Sequence, residues 1–566
     1  MDKGELTKRS RTLLEYFLEN KVPSFLARLA LKRGLKTARD LIYQHITFCR
    51  KELDGSDLRM AELLRAYFLF KDTELLDAQI LKDIRRGALR LTYRDPYPDC
   101  EMSMTSEHHR ISFLVSEFLT AQEFSRGTFD NDEKSARWHR HKAEDEIKRW
   151  IMERARFGFS EWDSNHFMPV NLEALLNLYD FSQDREIKRL AELTIHKILT
   201  DMVIDSFQGI YAPTHGCTSW DYVKDAKQEA TRNIFAYYWG LSSFNTGFIG
   251  PILATSSYQP PEILGEIASD TSTTYVNKER HLYEGNPESP PACPAREGSP
   301  IFVNKYTYRT PAYMLSSAQD FLPGTQGKEQ HIWQATLSDD AIVFTNHPGS
   351  LDEDSHPNYW IGNGSLPRVF QYENVLIAIY NIPKEHPLDF THIYFPRARF
   401  DEITRRHRWV FARKGKAYIA LTSIRPGGRP PRRHHFSKKG PYRRQEIKCR
   451  GRRSAWVCQL GSREHQSSFR RFRHRVAESR LRLSDNLKLI FNSPYIGTIE
   501  FGWQGPPMVN GKEIPLSDYP HFHSPYTESQ FGSGEVLVEK GNKSLSLNFP
   551  KKKVKIETKE PIIPML

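Results

Sequence analysis

Three short stretches of this chain concentrate side chains that can move protons or read hydroxyl groups. Glu161-Trp162-Asp163-Ser164-Asn165-His166-Phe167 places two carboxylates, an amide, an imidazole and two aromatic rings next to one another. Ser106-Glu107-His108-His109-Arg110 sets adjacent histidines at the start of an apolar helical pattern, a suitable place for acid–base work near neutral pH. Tyr211–Tyr222 (YAPTHGCTSWDY) carries His215, Trp220 and Tyr222 without regular spacing, as a loop does. A saccharide cleft uses this mixture, with rings to stack on sugar faces and short polar groups to read hydroxyls. A plainer role also fits: Asp163 or Ser164 caps a helix, Trp162 joins the core, and the histidine pair is solvated. His331 opens a strand and His347 lies in a turn, positions where a lone histidine is more often structural. No HExxH pattern occurs and none of the six cysteines forms a CxxC pair, so neither a metal nor a cofactor is expected.

The elements that hold these stretches change character along the chain. Leu172, Leu175, Leu176 and Tyr179 follow the i, i+3, i+4, i+7 spacing of a helix with one buried face. Ile111, Leu114, Val115, Phe118 and Leu119 do the same within 105–122, and 185–205 is a third clear case. Strand signals are nearly absent from residues 1–257, and no fixed-period repeat is present, so an (α/α) toroid of helical hairpins is preferred. Residues 258–300, rich in Pro, Ser, Thr, Glu and Gly, are expected to be a linker or long loop. From 301 to 550, short runs rich in Val, Ile, Tyr and Phe alternate with turn residues, as in an antiparallel β-sandwich. Residues 551–566 are expected to be a charged, poorly ordered tail. The fold class is thus multidomain α and β, a toroid followed by a sandwich.

The net charge of +12 is concentrated. Between Arg425 and Arg475, 17 Lys and Arg face 2 Asp and Glu, leaving 64 basic and 67 acidic residues elsewhere. A near-neutral protein with one basic segment is not a general nucleic-acid binder, and the segment is either an exposed polyanion-attracting loop or simply solvated. The first residues are charged where an export signal needs an apolar core, so a cytoplasmic location is the default. The uncharged stretch 233–261 contains Gly240, Gly247, Gly250 and Pro251, which argues against a membrane span.

As an ordered set, SEHHRISFLVSEFLTAQEF, GFSEWDSNHFMPVNLEALLNLYDF, the THG loop and HIWQATLSDDAIVFTNHPG with YWIGNG resemble the heparinase II/III-like polysaccharide lyases and related alginate lyases. The resemblance covers most of the chain. It implies a toroid and a β-sandwich with a cleft between them, and cleavage of a uronic-acid-containing polysaccharide by β-elimination. In that chemistry a hydrogen-bonding group takes up charge on the uronate, while Tyr or His removes and returns protons. Carried over by position, His109 matches the family's histidine, and His108 stands where an asparagine is expected. Phe167 replaces a tyrosine, Cys217 replaces an arginine, Tyr222 is the nearby phenol and His331 is the β-domain histidine. The implied catalytic set is His108, His109, Tyr222 and His331. Glu161, Trp162, Asn165, His166, His215 and Trp220 are the expected contacts to an acidic polysaccharide.

Two other readings follow from the same residues. Glu161 and Asp163 could serve as the acid and base of a toroid glycoside hydrolase, which needs carboxyl groups ~5–9.5 Å apart. Alternatively, the replacements at His108, Phe167 and Cys217 suit a protein that binds acidic carbohydrate without turning it over.

Overall fold

The computed structural model describes residues 3–94, 101–284, 300–352, 355–427 and 444–558. Among them, thirteen α-helices precede Tyr275, and after it strands dominate, with only the short helices Arg463–Gln466 and Phe469–Ala477. The helical periodicities locate real elements: Glu107–Glu123, Met168–Phe181 and Arg185–Ile204 form where apolar residues recur on one face. Glu107–Glu123 packs against both Ala136–Phe157 and Met168–Phe181, burying Ile111, Val115, Phe118, Leu172 and Leu175 in a common core. No helix among the described residues is long and apolar enough to cross a membrane.

All strand pairings among the described residues are antiparallel. They form sheets of twelve, six and five strands besides a two-stranded ribbon. Val303, Leu315 and Ala335 of the twelve-stranded sheet share one core with Val369, Leu376 and Ile419 of the six-stranded sheet. The opposite face of the six-stranded sheet, through Phe370, Ile377 and Phe411, meets Leu489 and Phe491 of the third.

Three expected boundaries differ. The 258–300 stretch contains the helix Glu262–Ala268 and the strand Tyr275–Tyr283, which pairs along its whole length with Ile301–Arg309. Tyr275, Asn277 and Glu279 alternate inward, a period-2 pattern overlooked because Pro- and Ser-rich sequence surrounds it. Lys553–Thr558, expected in the tail, is an edge strand of the large sheet, with Lys553 and Lys555 suiting an exposed edge. The basic segment includes the strands Glu446–Arg450 and Arg453–Ser462 and the helix Phe469–Ala477; residues 428–443 lie outside the described residues.

The helical and β parts share a core. Phe522, Val536, Val538, Leu545 and Leu547 from the C-terminal strands belong to the same apolar cluster as the helices. A buried ionic knot ties them further. Lys305 and Glu279 are cross-strand partners, and the Lys305 ammonium reaches Glu279 Oε2 at 2.6 Å and Asp205 Oδ2 at 2.9 Å, and also Asp163. Asp205 ends the helix Arg185–Ile204, and Asp163 lies in the loop before Met168–Phe181. The knot thus fixes the 158–167 loop to the sheet.

Candidate functional site

Glu107, the first residue of its helix, organises the loop that carries Glu161. Its carboxylate accepts from the backbone N–H of Ser160 (3.3 Å) and Glu161 (2.9 Å) and is ion-paired to Arg154. The chain enters this loop through Gly158 at φ +75°, where a Cβ would collide with the His281 ring. Met168–Phe181 then starts after Phe167, with Ser164 Oγ accepting from the Phe167 N–H at 2.9 Å. The capping role foreseen for Ser164 is therefore that of fixing the turn, one step before the helix.

These supports place a continuous row of rings. His109 lies 4.3 Å from His108, and His108 stacks on Phe167 at 3.5 Å with a 10° interplanar angle. Phe167 meets His166 edge-on at 4.6 Å, and His166 lies 5.6 Å from Tyr222. Phe167, where a tyrosine was expected, acts as the spacer between two imidazoles.

The row is electrostatically graded. Burial disfavours a charge on His109, but the Asp57 carboxylate 2.8 Å from Nδ1 outweighs it, so the imidazole pKa is raised. His166 is shifted the other way by burial and by His108, and its buried Nδ1 has no protein partner. Burial, with His109 beside it, lowers His108 to about 3, so this ring is neutral. Glu161 keeps 19% of its side chain exposed, yet burial and neighbouring Glu329 push its carboxyl up to about 8. Glu161 Oε2 and His108 Nδ1 share a hydrogen bond at 2.8 Å, and His108 Nε2 is buried without a protein partner. Burial, Glu229 and Asp221 raise Tyr222 to about 12, so it remains a phenol and a proton donor at neutral pH.

The structure brings Glu161, His166, His108, His109 and Tyr222 together, and treats the other expected residues differently. Trp162 is completely buried against Phe321 and Tyr283, with its indole N–H donated to Thr214 at 2.8 Å; it is a core ring, not a sugar platform. Gly216 is required beside it, because a Cβ there would overlap the indole. Trp162→Ala is expected to cost about 3–5 kcal/mol of stability, read as a lowered urea midpoint. Asn165 is fully buried and accepts from Thr218 at 2.7 Å. His215 and His331 join the helical and β parts through a backbone bridge (His215 N–H to His331 O 3.1 Å, the reverse 2.8 Å). Both are buried and held neutral, at about 4 and about 3, by burial first. His331 Nε2 is engaged by Gln334 at 3.0 Å, and its ring meets His215 and Phe344. Trp220 is half-buried with the Lys224 ammonium 4.1 Å above its ring. His347 is buried, with Nε2 3.1 Å from the Leu388 carbonyl. Cys217, in the position of an expected arginine, donates its thiol to Glu329 at 2.7 Å.

Asp163 belongs to the Lys305 knot, so the Glu161–Asp163 acid–base pair does not form: Asp163 also accepts from the Tyr211 hydroxyl at 2.7 Å. Asp163, Glu279 and His281 have ligand atoms close enough to hold a cation, and the Lys305 ammonium already lies against the two carboxylates. Asp57 and Glu329 were not foreseen. Asp57 sits 52 residues from His109 with no local signal, whereas Glu329, two residues before His331, lay within view.

No family model and no curated protein matches the chain. Among solved structures, a crystal structure of heparinase III is similar with a TM-score of 0.37 and 10% identity, over 88% of this chain and 81% of that one. That is a distant structural relationship, and it says nothing about the site.

Proposed function

We propose that the chain is a polysaccharide lyase-like enzyme that cleaves a uronic-acid-containing polysaccharide by β-elimination at the His109–Tyr222 row. In this reading the helices, through Glu262–Ala268, form an (α/α) toroid beside a β-sandwich that begins with the strand Tyr275–Tyr283. The observation that carries it is the opposed environment of two imidazoles in one row: the Asp57 carboxylate 2.8 Å from Nδ1 favours the charged form of His109, and burial favours the neutral form of His166. Environments that drive paired groups apart assign the acid and the base.

Bound uronate sets its carboxylate against protonated His109, helped by the N-terminus of the helix that carries it. His166 takes the proton from the carbon beside the carboxylate through Nε2, the ring nitrogen that is not buried, and the charge that develops is held at His109. Tyr222 gives its phenolic proton to the departing glycosidic oxygen, and the product carries a carbon–carbon double bond conjugated to its carboxylate. Bulk solvent then returns a proton to Tyr222 and removes one from His166.

The pH dependence follows from the two shifts. The active form needs His109 protonated, so the rate falls as pH rises through its raised pKa. It also needs His166 neutral, so the rate falls as pH drops through its lowered pKa. The kcat/KM profile is expected to be flat across ~6.5, where a free imidazole titrates. A single sigmoid centred there contradicts the assignment.

A binding-only role is the second reading, favoured by the Cys217–Glu329 contact, which puts a thiol–carboxylate pair where a cation was expected. Acidic glycan bound without any unsaturated product establishes it.

A further inference from the structure

A cavity of about 790 Å³ opens between the helical and β parts and takes no part in the chemistry above. It is lined by Lys224 and Asp225 from the helical part and by Asp340, Tyr394, Pro396, Arg397, Arg399, Arg444 and Gln445 from the β part. The short helix Trp220–Lys224 joins the two places: Tyr222 reaches the row and Lys224, two residues on, reaches the cavity. Four cationic side chains and two carboxylates thus line it, with the Lys224 ammonium also over the Trp220 and Trp360 rings at 4.1 and 5.3 Å. One of the carboxylates, Asp340, is already surrounded by Lys414 (3.4 Å), Arg399 (3.6 Å) and Lys227 (3.9 Å). The other, Asp225, caps its own turn by accepting from the Lys227 N–H at 3.0 Å. The 3-10 turn Arg397–Arg399 is pinned to the approaching strand by its backbone, Arg397 N–H to Arg444 O at 3.4 Å. Arg399 keeps 54% of its side chain exposed, open to a ligand.

We propose that this cavity is an anion subsite that takes a carboxylate- or sulfate-bearing sugar of the same polysaccharide whose reacting unit lies on the ring row; it rests on the lyase reading for its connection to turnover. Guanidinium forks match planar carboxylate and sulfate oxygens two at a time, which a lysine alone does not. The volume falls in the ~300–1,000 Å³ range of sites for discrete ligands. Surfaces for nucleic acid present instead a cationic groove with successive stacking rings along its length. Here the cations line one concavity, and among the described residues Tyr394 is its one aromatic lining residue. Arg444, from the basic segment noted in the sequence, contributes to the wall.

Calorimetric titration of the full chain tests the subsite. The probes are a heparin tetrasaccharide, a galacturonate tetramer, neutral chitotetraose, inorganic sulfate and a ten-nucleotide oligothymidylate, each at two salt concentrations. The expected result is binding of at least one acidic tetrasaccharide, weakened by salt, and lowered about tenfold or more in R397Q/R399Q, as loss of charge-assisted bonds requires. R444Q, which leaves the 3-10 turn intact, is expected to weaken it in the same direction. Unchanged affinity in variants that melt like the parent overturns the proposal, as does failure of the parent to bind either acidic tetrasaccharide. Equal binding of chitotetraose, sulfate or the oligonucleotide also overturns it. His109→Ala is expected to lose turnover, and R397Q/R399Q is expected to weaken binding in that background as it does in the parent. If His109→Ala turns over fully while R397Q/R399Q loses binding, the catalytic reading fails and the subsite stands.

Discussion

Replacing His109 with alanine is expected to lower kcat on a uronate polysaccharide by roughly 10²–10³, the usual effect of removing a group that stabilises developing charge. The ring carries that charge because Asp57, fully buried on the helix Ser56–Phe70, holds Nδ1 at 2.8 Å. Tyr222→Phe removes the only proton its ring can give and is expected to cost roughly 10²–10⁴. Asp57→Asn separates position from charge: the imidazole keeps a hydrogen-bonding partner but loses the anion, so the alkaline limb of the rate profile moves to lower pH. Unchanged rates in both His109→Ala and Tyr222→Phe remove the row from the chemistry.

The second large effect is structural. Lys305→Met leaves Asp163, Asp205 and Glu279 facing one another inside the protein without their cation. Breaking a buried ionic group in this way costs about 3–5 kcal/mol. Burial, opposed by Lys305, already raises the Asp163 and Asp205 carboxyls, so without the ammonium both are driven further toward the protonated form. The loss is expected to appear as a lowered urea midpoint, and Glu279→Gln in the same chain is expected to recover part of it by removing one anion. Asp163 also anchors the Tyr211 hydroxyl and, through its carbonyl, His215 Nδ1 at 2.5 Å, so the variant loosens the joint between the two parts. A midpoint equal to the parent's shows that the knot is not what fixes the loop.

The elements were legible where one period dominated. Helical faces such as Ile111–Leu119 and short strands such as Ala341–Asn346 follow from spacing alone. The strand Tyr275–Tyr283 was hidden because its inward residues Asn277, Glu279 and His281 are polar, and an ionic core does not register as hydrophobic alternation. The same cause misplaced Asp163, whose purpose depends on a lysine 142 residues later in the chain. Within the candidate site, the local cluster Glu161–Phe167 was visible, but its division was not. Trp162 and Asn165 turn inward while Glu161 and His166 stay near the surface, because the tight turn at Asp163, with φ +47°, reverses the chain between them. His109 and His166 differ in protonation because of Asp57 and of burial, and both depend on tertiary neighbours that spacing does not encode.

Ultraviolet absorbance of the products from a panel of uronate polysaccharides, followed beside a reducing-end assay, tests elimination at this site most directly. The account predicts that absorbance and new chain ends rise together with the parent protein, and that both fall away in His109→Ala. New chain ends without absorbance would mean hydrolysis, and acidic glycan bound with neither signal would mean a binding protein; either result contradicts it.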